Sequence, residues 1–369
     1  MRRLVLLAAR DSIHTVRWAN ALANRGYDVH LVSIRRSGDP LQDSVKTHYL
    51  SYPVPFGYFL NVRELRRLLE HIKPDVFHAH YASGYGTLGR LARYHPYVLS
   101  VWGSDVYDFP ERSLYHRNLI IRNLEAADWV CSTSRVMAEH TSDLGAIIPK
   151  LSITPFGIDL ALFRPKPELR DSDTITVGTV KALDEKYGID ILISAFAQAR
   201  TTIRENGADC LAARLRLSII GDGPLRSNYE VLAKDLGVYD VCEFVGRVPH
   251  HQVPDYLNRL DIYVAVSRLD SESFGVAIVE ASACGLPVIV SDVGGLPEVV
   301  VNGKTGFVVP RESVDATATS IMRLAESPGL RQEIGEVGRQ HVKRHYEWSQ
   351  NVTQMEHVYR EVTDIANAR

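Results

Sequence analysis

Residues 261–292 have the sequence DIYVAVSRLDSESFGVAIVEASACGLPVIVSD, and the order of elements in this stretch decides the fold class. It contains an apolar run typical of a buried strand, a polar loop, a short apolar segment that ends at Gly285 and Pro287, and a second strand-like run. A strand, a helix and a second strand in this order predict one βαβ unit of a parallel sheet.

The same alternation extends along the chain and is interrupted once. Before the interruption the strand candidates are LVLLAA, YDVHLVSI, DVFHAHY, YVLSVWG and WVCSTS, and after it they are TITVGTV, RLSIIGDG, CEFVGRV, DIYVAVS and PVIVSD. The interruption, residues 154–173, is rich in proline and charge and is predicted to be a linker. We therefore expect an α/β fold of two Rossmann-like, doubly wound domains with a cleft between them. The expected domains are residues 1–160 and 161–345, followed by a helix at 346–369 that packs back toward the first domain.

Composition limits the class of protein. The 369 residues suit two domains, and 42 basic against 44 acidic residues give a net charge of −2, which does not indicate a nucleic-acid partner. The four cysteines form no C-x-x-C pair, which suits a reducing cytoplasmic location. The first apolar run ends at Arg10 and Asp11 and is predicted to be a strand rather than a signal peptide. No run approaches the roughly 18 apolar residues of a membrane-spanning helix.

Two acids, Glu272 and Glu280, flank the start of the predicted helix in the opening stretch. Ser271 or Ser273 is expected to cap this helix, which we expect to start near Phe274. Free backbone N–H groups at such a start suit a phosphate, and an acid beside them is better used to accept hydrogen bonds from sugar hydroxyls. In the alternative interpretation Glu272 caps the helix and Glu280 faces solvent.

Residues 272–289 resemble the paired-glutamate motif E-x-F-G-x-x-x-x-E-A-x-A-x-G-x-P-V-I, and every fixed position of the motif is matched. The motif belongs to retaining, nucleotide-sugar-dependent glycosyltransferases of the GT-B fold, family four. The resemblance implies that Glu272 lies near the transferred sugar and that Glu280 holds the ribose hydroxyls. It also implies that Ser273, Phe274 and Gly275 meet the donor sugar and its diphosphate.

The segment VGTVKALDEKYGID is similar to the family segment that carries a basic pair for the diphosphate, here Lys181 and Lys186. Two cations could neutralise the charge that grows on a departing diphosphate, which we favour over the alternative that both are ordinary solvated lysines. By the same similarity Gly221, in GDGP, supports the nucleotide, and Val245 and Gly246 lie near its base. GDGP on its own could be no more than a turn.

The first half departs from the family at two loops. The first βα loop has Ser12 in place of a glycine pair, and Trp102 stands where many members carry a histidine. Ser12 could still bond a phosphate or sugar hydroxyl, and Asp105 is a candidate ligand for a sugar hydroxyl. His78 and His80 alternate on one strand face, a spacing that could suit a metal or could place one packed and one strand-end histidine. We favour the second interpretation, in which His80 contacts the acceptor or donor sugar, and expect no metal or other cofactor.

Residues 52–73, YPVPFGYFLNVRELRRLLEHIK, combine aromatic residues with a helical pattern that places arginines opposite leucines. The arginines are Arg63, Arg66 and Arg67, and the leucines are Leu65, Leu68 and Leu69. Such a segment could rest on an anionic membrane surface or be an amphipathic helix packed on the sheet.

The resemblance predicts a retaining glycosyltransferase. It would move a hexose-type sugar from a nucleotide-diphosphate sugar, a UDP or GDP sugar in our expectation, to a glycan or lipid-linked acceptor. Cell-surface polysaccharide or glycoconjugate synthesis is the expected setting, in the cytoplasm or peripherally at the inner membrane face. Two alternatives remain, a nucleotide-sugar 2-epimerase of the same fold and a non-enzymatic nucleotide-sugar-binding protein.

Overall fold

The computed structural model describes residues 2–368, which form two units, each built around its own parallel sheet. Unit 1 comprises the chain up to Pro155 together with the segment from Ser349 onward, and unit 2 comprises Phe156–Trp348. The first unit thus ends five residues before the expected boundary at 160, inside the segment predicted to be a linker. The α/β class and the two Rossmann-like sheets predicted from the sequence are confirmed.

Unit 1 has a seven-stranded sheet in the order β3-β2-β1-β4-β5-β6-β7. Its strands are β1 (Arg3–Leu7), β2 (Asp28–Ser33), β3 (Lys46–Tyr49), β4 (Val76–His80), β5 (Tyr97–Val101), β6 (Trp129–Ser132) and β7 (Leu151–Ile153). The helices that follow them are α1 (Ile13–Asn24), α2 (Gly57–Leu60), α3 (Val62–Ile72), α4 (Gly84–Ala92), α5 (Leu114–Glu125) and α6 (Arg135–Asp143). The central strands β4 and β5 are buried along their whole length because helices cover both faces of a parallel sheet.

Unit 2 has a six-stranded sheet in the order β10-β9-β8-β11-β12-β13. Its strands are β8 (Ile175–Val180), β9 (Leu215–Ile220), β10 (Cys242–Gly246), β11 (Ile262–Ala265), β12 (Val288–Ser291) and β13 (Gly306–Val309). Its helices are α7 (Ile189–Glu205), α8 (Asp209–Arg214), α9 (Arg226–Asp235), α10 (Val253–Asn258), α11 (Val276–Ala283), α12 (Leu296–Val299), α13 (Val314–Glu326) and α14 (Pro328–His345). Short 3₁₀ turns lie at Pro110–Arg112, Pro167–Leu169, Glu185–Tyr187, Tyr239–Val241 and His250–Gln252.

The last helix, α15 (Trp348–Asn367), belongs to unit 1 for nearly all of its length. Tyr359 lies on its buried face, and its hydroxyl is 2.7 Å from Nδ1 of His78 on β4, whose Nε2 lies 2.8 Å from the Ser100 hydroxyl. A helix from the end of the chain therefore completes the core of the first unit.

In both sheets the strand order reverses at the centre, between β1 and β4 in unit 1 and between β8 and β11 in unit 2. Chain connections leave these two central strands toward opposite sides, so that their following loops diverge and leave a crevice at the carboxyl edge. Ligands of open α/β sheets bind at such points. The loops after β8 and β11 are therefore the first place to look for a site in unit 2.

The leucines of α3 pack into the core of unit 1 rather than facing outward. Leu65 and Leu69 are fully buried, and Arg66 donates hydrogen bonds to the backbone oxygens of Leu91 and Ala92. Of the two interpretations of residues 52–73, the packed amphipathic helix is thus the one that applies to α3. No helix within residues 2–368 combines the length and the apolar character needed to cross a bilayer.

Candidate functional site

A lysine and a glutamate from the two central strands of unit 2 meet at the crevice. Lys181 is the residue after β8 and Glu272 lies in the loop after β11, and Lys181 Nζ is 2.9 Å from Glu272 Oε1. Both side chains are largely buried. The alternative in which Glu272 caps the helix is therefore wrong, because its carboxylate is used in an ion pair with a residue of the neighbouring loop.

The aromatic ring of Tyr187 lies near both lysines that the sequence singled out. Lys181 Nζ is 4.9 Å and Lys186 Nζ 5.7 Å from the ring centroid, distances at which the ring face attracts a cation. Burial, together with the nearby carboxylates of Glu272 and Asp184, raises the pKa of Tyr187 to about 12, so the phenol stays neutral. Tyr187 is thus a shared neighbour of both ammonium groups, a contact that the sequence pattern did not indicate.

Arg268, which sequence reasoning also missed, ties the two loops to each other. Its backbone N–H donates to the Lys186 carbonyl over 2.8 Å, and its guanidinium forms two hydrogen bonds, of 2.6 and 2.9 Å, with the Asp190 carboxylate. The hydrogen bond to Asp190 is the main cause that raises the pKa of Arg268. A paired double hydrogen bond of this kind fixes geometry better than a single contact does.

The glycine pair Gly294–Gly295 supports the loop that carries Glu272. The Gly295 N–H donates to the Glu272 carbonyl over 3.1 Å. A Cβ atom on Gly295 would lie 2.1 Å from the Ser273 carbonyl oxygen, and one on Gly294 would lie 2.5 Å from that of Asp270. Only residues without a side chain allow the two backbones this close, so the pair sets the position of the loop.

Helix α11 begins at Val276, and the prediction that a serine caps it is wrong. Its N-cap is Gly275, in the left-handed region at φ 84°, which has no side chain to accept a hydrogen bond from the first turn. The Ser271 hydroxyl is buried and has no hydrogen-bond partner among residues 2–368. The Phe274 ring packs edge-on against Tyr346, with centroids 5.4 Å apart, so only its backbone is placed to meet a ligand.

Glu280 is buried on α11, and its Oε1 is 2.9 Å from Nε2 of His250. The alternative in which Glu280 faces solvent is therefore wrong. His250, in the 3₁₀ turn after β10, was not predicted as a site residue. The sequence did offer a signal, because His250 closely follows the segment around Val245 and Gly246 that resemblance placed near the base.

Two predicted nucleotide-side glycines are joined by a backbone bridge. The Gly221 N–H donates to the Gly246 carbonyl over 2.9 Å, which links the ends of β9 and β10. Gly221 has φ 143°, and a Cβ there would lie 1.8 Å from the Lys181 carbonyl oxygen. Val245, next to Gly246, is half-buried. The structure thus brings Gly221, Gly246 and Lys181 to one place at the sheet edge.

The remaining predicted residues, Ser12, His80 and Asp105, belong to unit 1. Ser12 precedes α1, and its hydroxyl makes no cap hydrogen bond. Asp105 is fully buried and accepts backbone N–H groups from Ala82, Trp102 and Gly103 at 2.6 to 3.1 Å. Burial raises the pKa of Asp105, while these hydrogen bonds counteract part of that rise. Its carboxylate therefore already holds the loop after β4 against the loop after β5.

His80 is buried at the end of β4, with its ring centroid 4.7 Å from that of Trp102 and 4.5 Å from that of His78. Its Nδ1 has no hydrogen-bond partner among the described residues. Burial, followed by the charge of His14, lowers the pKa of His80 to about 3. His80 is consequently a neutral imidazole at ordinary pH and a weak base. Within residues 2–368 no group of three or more histidine, cysteine or acidic side chains could hold a metal ion.

Comparison with known proteins identifies the family. Residues 163–341 match the model of glycosyl transferases group 1, and residues 3–134 match that of glycosyl transferase 4-like proteins. The D-inositol 3-phosphate glycosyltransferase of Kribbella flavida is 31% identical over 297 residues, which span 73% of this chain and 67% of that protein. The chain belongs to the group 1 glycosyltransferases.

A second relative of this group 1 glycosyltransferase comes from Mycolicibacterium smegmatis. It is the GDP-mannose-dependent alpha-(1-6)-phosphatidylinositol monomannoside mannosyltransferase, 30% identical over 235 residues. That match covers 60% of this chain and 59% of the relative, so the chain spans about three fifths of the relative's length.

The fold of this group 1 glycosyltransferase is also that of a solved structure. Sucrose-phosphate synthase from Thermosynechococcus elongatus superimposes with a TM-score of 0.84 and 22% identity, over 99% of this chain and 100% of that one. Together with the two parallel sheets, this likeness confirms the GT-B fold.

Proposed function

We propose that this group 1 glycosyltransferase moves a hexose-type sugar from a UDP or GDP sugar to a glycan or lipid-linked acceptor, with retention of configuration. The observation that carries the proposal is the Lys181–Glu272 pair at the crevice of unit 2, together with the Tyr187 ring that both Lys181 and Lys186 approach. Two lysines and an acid from loops at a switch point suit a ligand that has both a diphosphate and a sugar.

In the proposed reaction the diphosphate replaces Glu272 as the partner of Lys181. Released from the lysine, Glu272 accepts hydrogen bonds from the donor sugar, while the backbone of Ser273, Phe274 and Gly275 meets the sugar and phosphates. Glu280 holds the ribose hydroxyls, and Gly221, Val245 and Gly246 contact the nucleoside. His250, 2.9 Å from Glu280, keeps that carboxylate oriented until the ribose arrives.

The bond from the anomeric carbon to the diphosphate oxygen breaks while an acceptor hydroxyl approaches from the same face. The acceptor proton passes to the leaving diphosphate oxygen, and the new glycosidic bond forms on the face that the diphosphate left. Lys181 and Lys186 stabilise the negative charge that develops on the diphosphate, so the scheme requires no metal ion. We assign the acceptor to unit 1, with His80 as a contact of the acceptor or the donor sugar, and we assign Ser12 and Asp105 to hydroxyl or phosphate groups of the donor.

The setting we propose is cell-surface polysaccharide or glycoconjugate synthesis, in the cytoplasm or peripherally at the inner face of the membrane. The mannosyltransferase relative supports it, since its name specifies a phosphatidylinositol mannoside as acceptor.

A thermal-shift screen against UDP, GDP, ADP, TDP and their sugars, with EDTA present, tests the proposal, because a ligand of the folded state raises its melting temperature. We expect a shift with UDP or GDP that Lys181→Ala removes. Lys234→Ala is the matched control, since Lys234 also lies over a tyrosine ring, 4.7 Å from the centroid of Tyr239, but away from the crevice loops. Absence of any shift with the wild-type protein would contradict the proposal. Binding with neither transfer nor slow donor hydrolysis would instead favour a non-enzymatic nucleotide-sugar-binding protein.

A further inference from the structure

Unit 1 contains a groove that none of the predicted site residues lines. It has a volume of about 580 Å³ and lies between α2, the start of α4, residues 104–112 and the first turn of α5. This volume falls within the roughly 300–1,000 Å³ of small-molecule sites. Much of its wall is aromatic and comes from Tyr58, Phe59, Tyr81, Phe109 and Tyr115.

Large apolar side chains are exposed around the groove. Phe56 and Leu114 are 72% and 80% exposed, and the groove residues Phe59 and Tyr115 are exposed as well. Isolated exposed apolar residues are common on proteins, but a cluster around a cavity indicates a binding surface.

The exposure of the aromatic residues of α2 is built into the fold. Asn61 is fully buried, and its amide forms two hydrogen bonds with the backbone of Tyr52, at 2.8 and 2.9 Å. A Cβ on Gly57 would lie 2.2 Å from the Tyr52 carbonyl oxygen, so this glycine lets the segment close on itself. A tightly closed segment of this kind holds Phe56 and Phe59 outward instead of letting them collapse onto the core.

One end of the groove is polar and carries a free cation. The Arg112 guanidinium lies 5.4 Å from the centroid of the Phe109 ring and forms no ion pair with any residue in 2–368. His116 packs edge-on against the same ring, with its Nδ1 2.8 Å from the Ser113 hydroxyl. Asp108 also lines the groove and can accept hydrogen bonds from hydroxyl groups. The hydroxyls of Tyr81 and Ser104 are hydrogen-bonded to each other within the wall.

A wholly polar glycan would leave the apolar rim in water, and a flat membrane surface would cover the rim without filling the cavity. A single amphiphilic molecule satisfies both parts, because its chain covers aromatic surface while its head group meets Arg112. We propose that this groove binds an amphiphilic acceptor, with its apolar chain on the aromatic wall and an anionic phosphate group beside Arg112. This inference rests on the proposed function, since it names the class of acceptor that the transferase would use.

Isothermal titration of the full chain with dodecyl phosphate below its micelle concentration tests the groove. We expect Phe59→Ser and Tyr115→Ser each to weaken binding by about tenfold, because each removes aromatic surface that the chain covers. Both residues are exposed, so neither change should unfold the protein. Ile147→Ser is the matched control, since Ile147 is 82% exposed in the same unit but does not line the groove.

The head group is tested with Arg112→Gln, which should weaken dodecyl phosphate binding but not the binding of the uncharged dodecyl maltoside. Equal binding by wild type, Phe59→Ser and Tyr115→Ser would overturn the proposal, as would inorganic phosphate binding as tightly as dodecyl phosphate. Binding only to phosphatidylglycerol vesicles, with no uptake of the monomer, would also overturn it in favour of a membrane surface. The change in melting temperature that nucleotides cause in the wild-type protein is a separate measurement. The donor proposal can therefore fail or hold independently of the proposal about the groove.

Discussion

At the scale of the residue, the Lys181–Glu272 contact gives a largely buried lysine a charged partner, at 2.9 Å. A buried charge needs a partner, and removing one member of such a pair typically costs about 3–5 kcal/mol. The ion pair therefore stabilises the loops after β8 and β11. In the proposed reaction an anionic diphosphate takes the place of Glu272, so Lys181 keeps a charged partner throughout.

Glu280→Ala and Lys186→Ala should have different kinetic effects. Loss of the Glu280 carboxylate should weaken donor binding by about tenfold or more, because hydrogen bonds to charged groups contribute about 1.5–3 kcal/mol. Loss of the Lys186 ammonium should mainly lower kcat, by about a hundredfold, because its charge matters most as the diphosphate departs. Steady-state kinetics and direct nucleotide titration measure both. Equal and negligible effects of the two changes would remove these assignments.

His80 should make the stability of unit 1 depend on pH. Its folded-state pKa is about 3, well below the roughly 6.5 of an unfolded chain, so protons bind the unfolded state preferentially. Stability is complete above about pH 7 and falls as the pH is lowered, by about 2 kcal/mol at pH 5 from this residue alone. Burial of His78 acts in the same direction.

Urea unfolding at pH 7, 6 and 5 tests the His80 prediction. His80→Phe should flatten the pH dependence, while His71→Gln should leave it unchanged, because His71 is exposed on α3 of the same unit. A wild-type protein and a His80→Phe variant with parallel pH profiles would show that His80 takes up its proton as easily in the folded state as in the unfolded state.

At the scale of the element, the candidate site is formed mainly at the carboxyl ends of the four strands β8, β9, β10 and β11. GDGP was compatible with a simple turn, yet Gly221 is bonded to Gly246 and lies against the backbone of Lys181. The path of the backbone also explains why the predicted serine cap of α11 is wrong. The loop reaches the helix through Gly275 in the left-handed conformation, so Gly275 is the N-cap and the Ser271 hydroxyl is buried without a hydrogen bond.

Gly221→Ala should displace the loop that carries Lys181. The new Cβ would lie 1.8 Å from the Lys181 carbonyl oxygen, a distance that only a backbone shift can relieve. We expect a lower melting temperature and a smaller nucleotide-induced shift. Gly237→Ala is the matched control, since Gly237 also has a positive φ of 67° but a Cβ there would meet nothing within 4 Å. That variant should lose only about 1 kcal/mol of stability and keep its nucleotide response. Similar nucleotide responses in the two variants would contradict the role given to Gly221.

At the scale of the whole molecule, the chain passes through unit 2 and then returns to unit 1. Helix α15 buries one apolar face there, formed by Val352, Met355, Val358, Tyr359 and Val362. Each such side chain contributes about 1.5–3 kcal/mol when buried, so together they rival the 5–15 kcal/mol that stabilises a typical domain. The stability of the first unit therefore depends on residues that follow unit 2 in the chain.

Removal of residues 349–369 should unfold unit 1 and spare unit 2. Hydrogen exchange followed by mass spectrometry should show fast exchange in β1, β4 and β5, with protection kept in β8, β9 and β11. A control that removes only residues 366–369 should behave as wild type, because the buried face of α15 ends at Val362. Unchanged protection of β4 in the long truncation would mean that the first unit is stable without α15.

The sequence by itself determined the class of fold, the family and the segment that carries Glu272 and Glu280. Strand periodicity, glycine and proline positions and a contiguous motif are local properties, and local properties can be read from one chain. Tertiary structure alone decided that Lys181 meets Glu272 across 91 positions, that His250 meets Glu280, and that the last helix joins unit 1. It also decided that Leu65 and Leu69 of α3 are buried while the nearby Phe56 and Phe59 are exposed. These contacts depend on which strands lie side by side and on which surfaces remain to be covered, and short-range patterns do not contain that information.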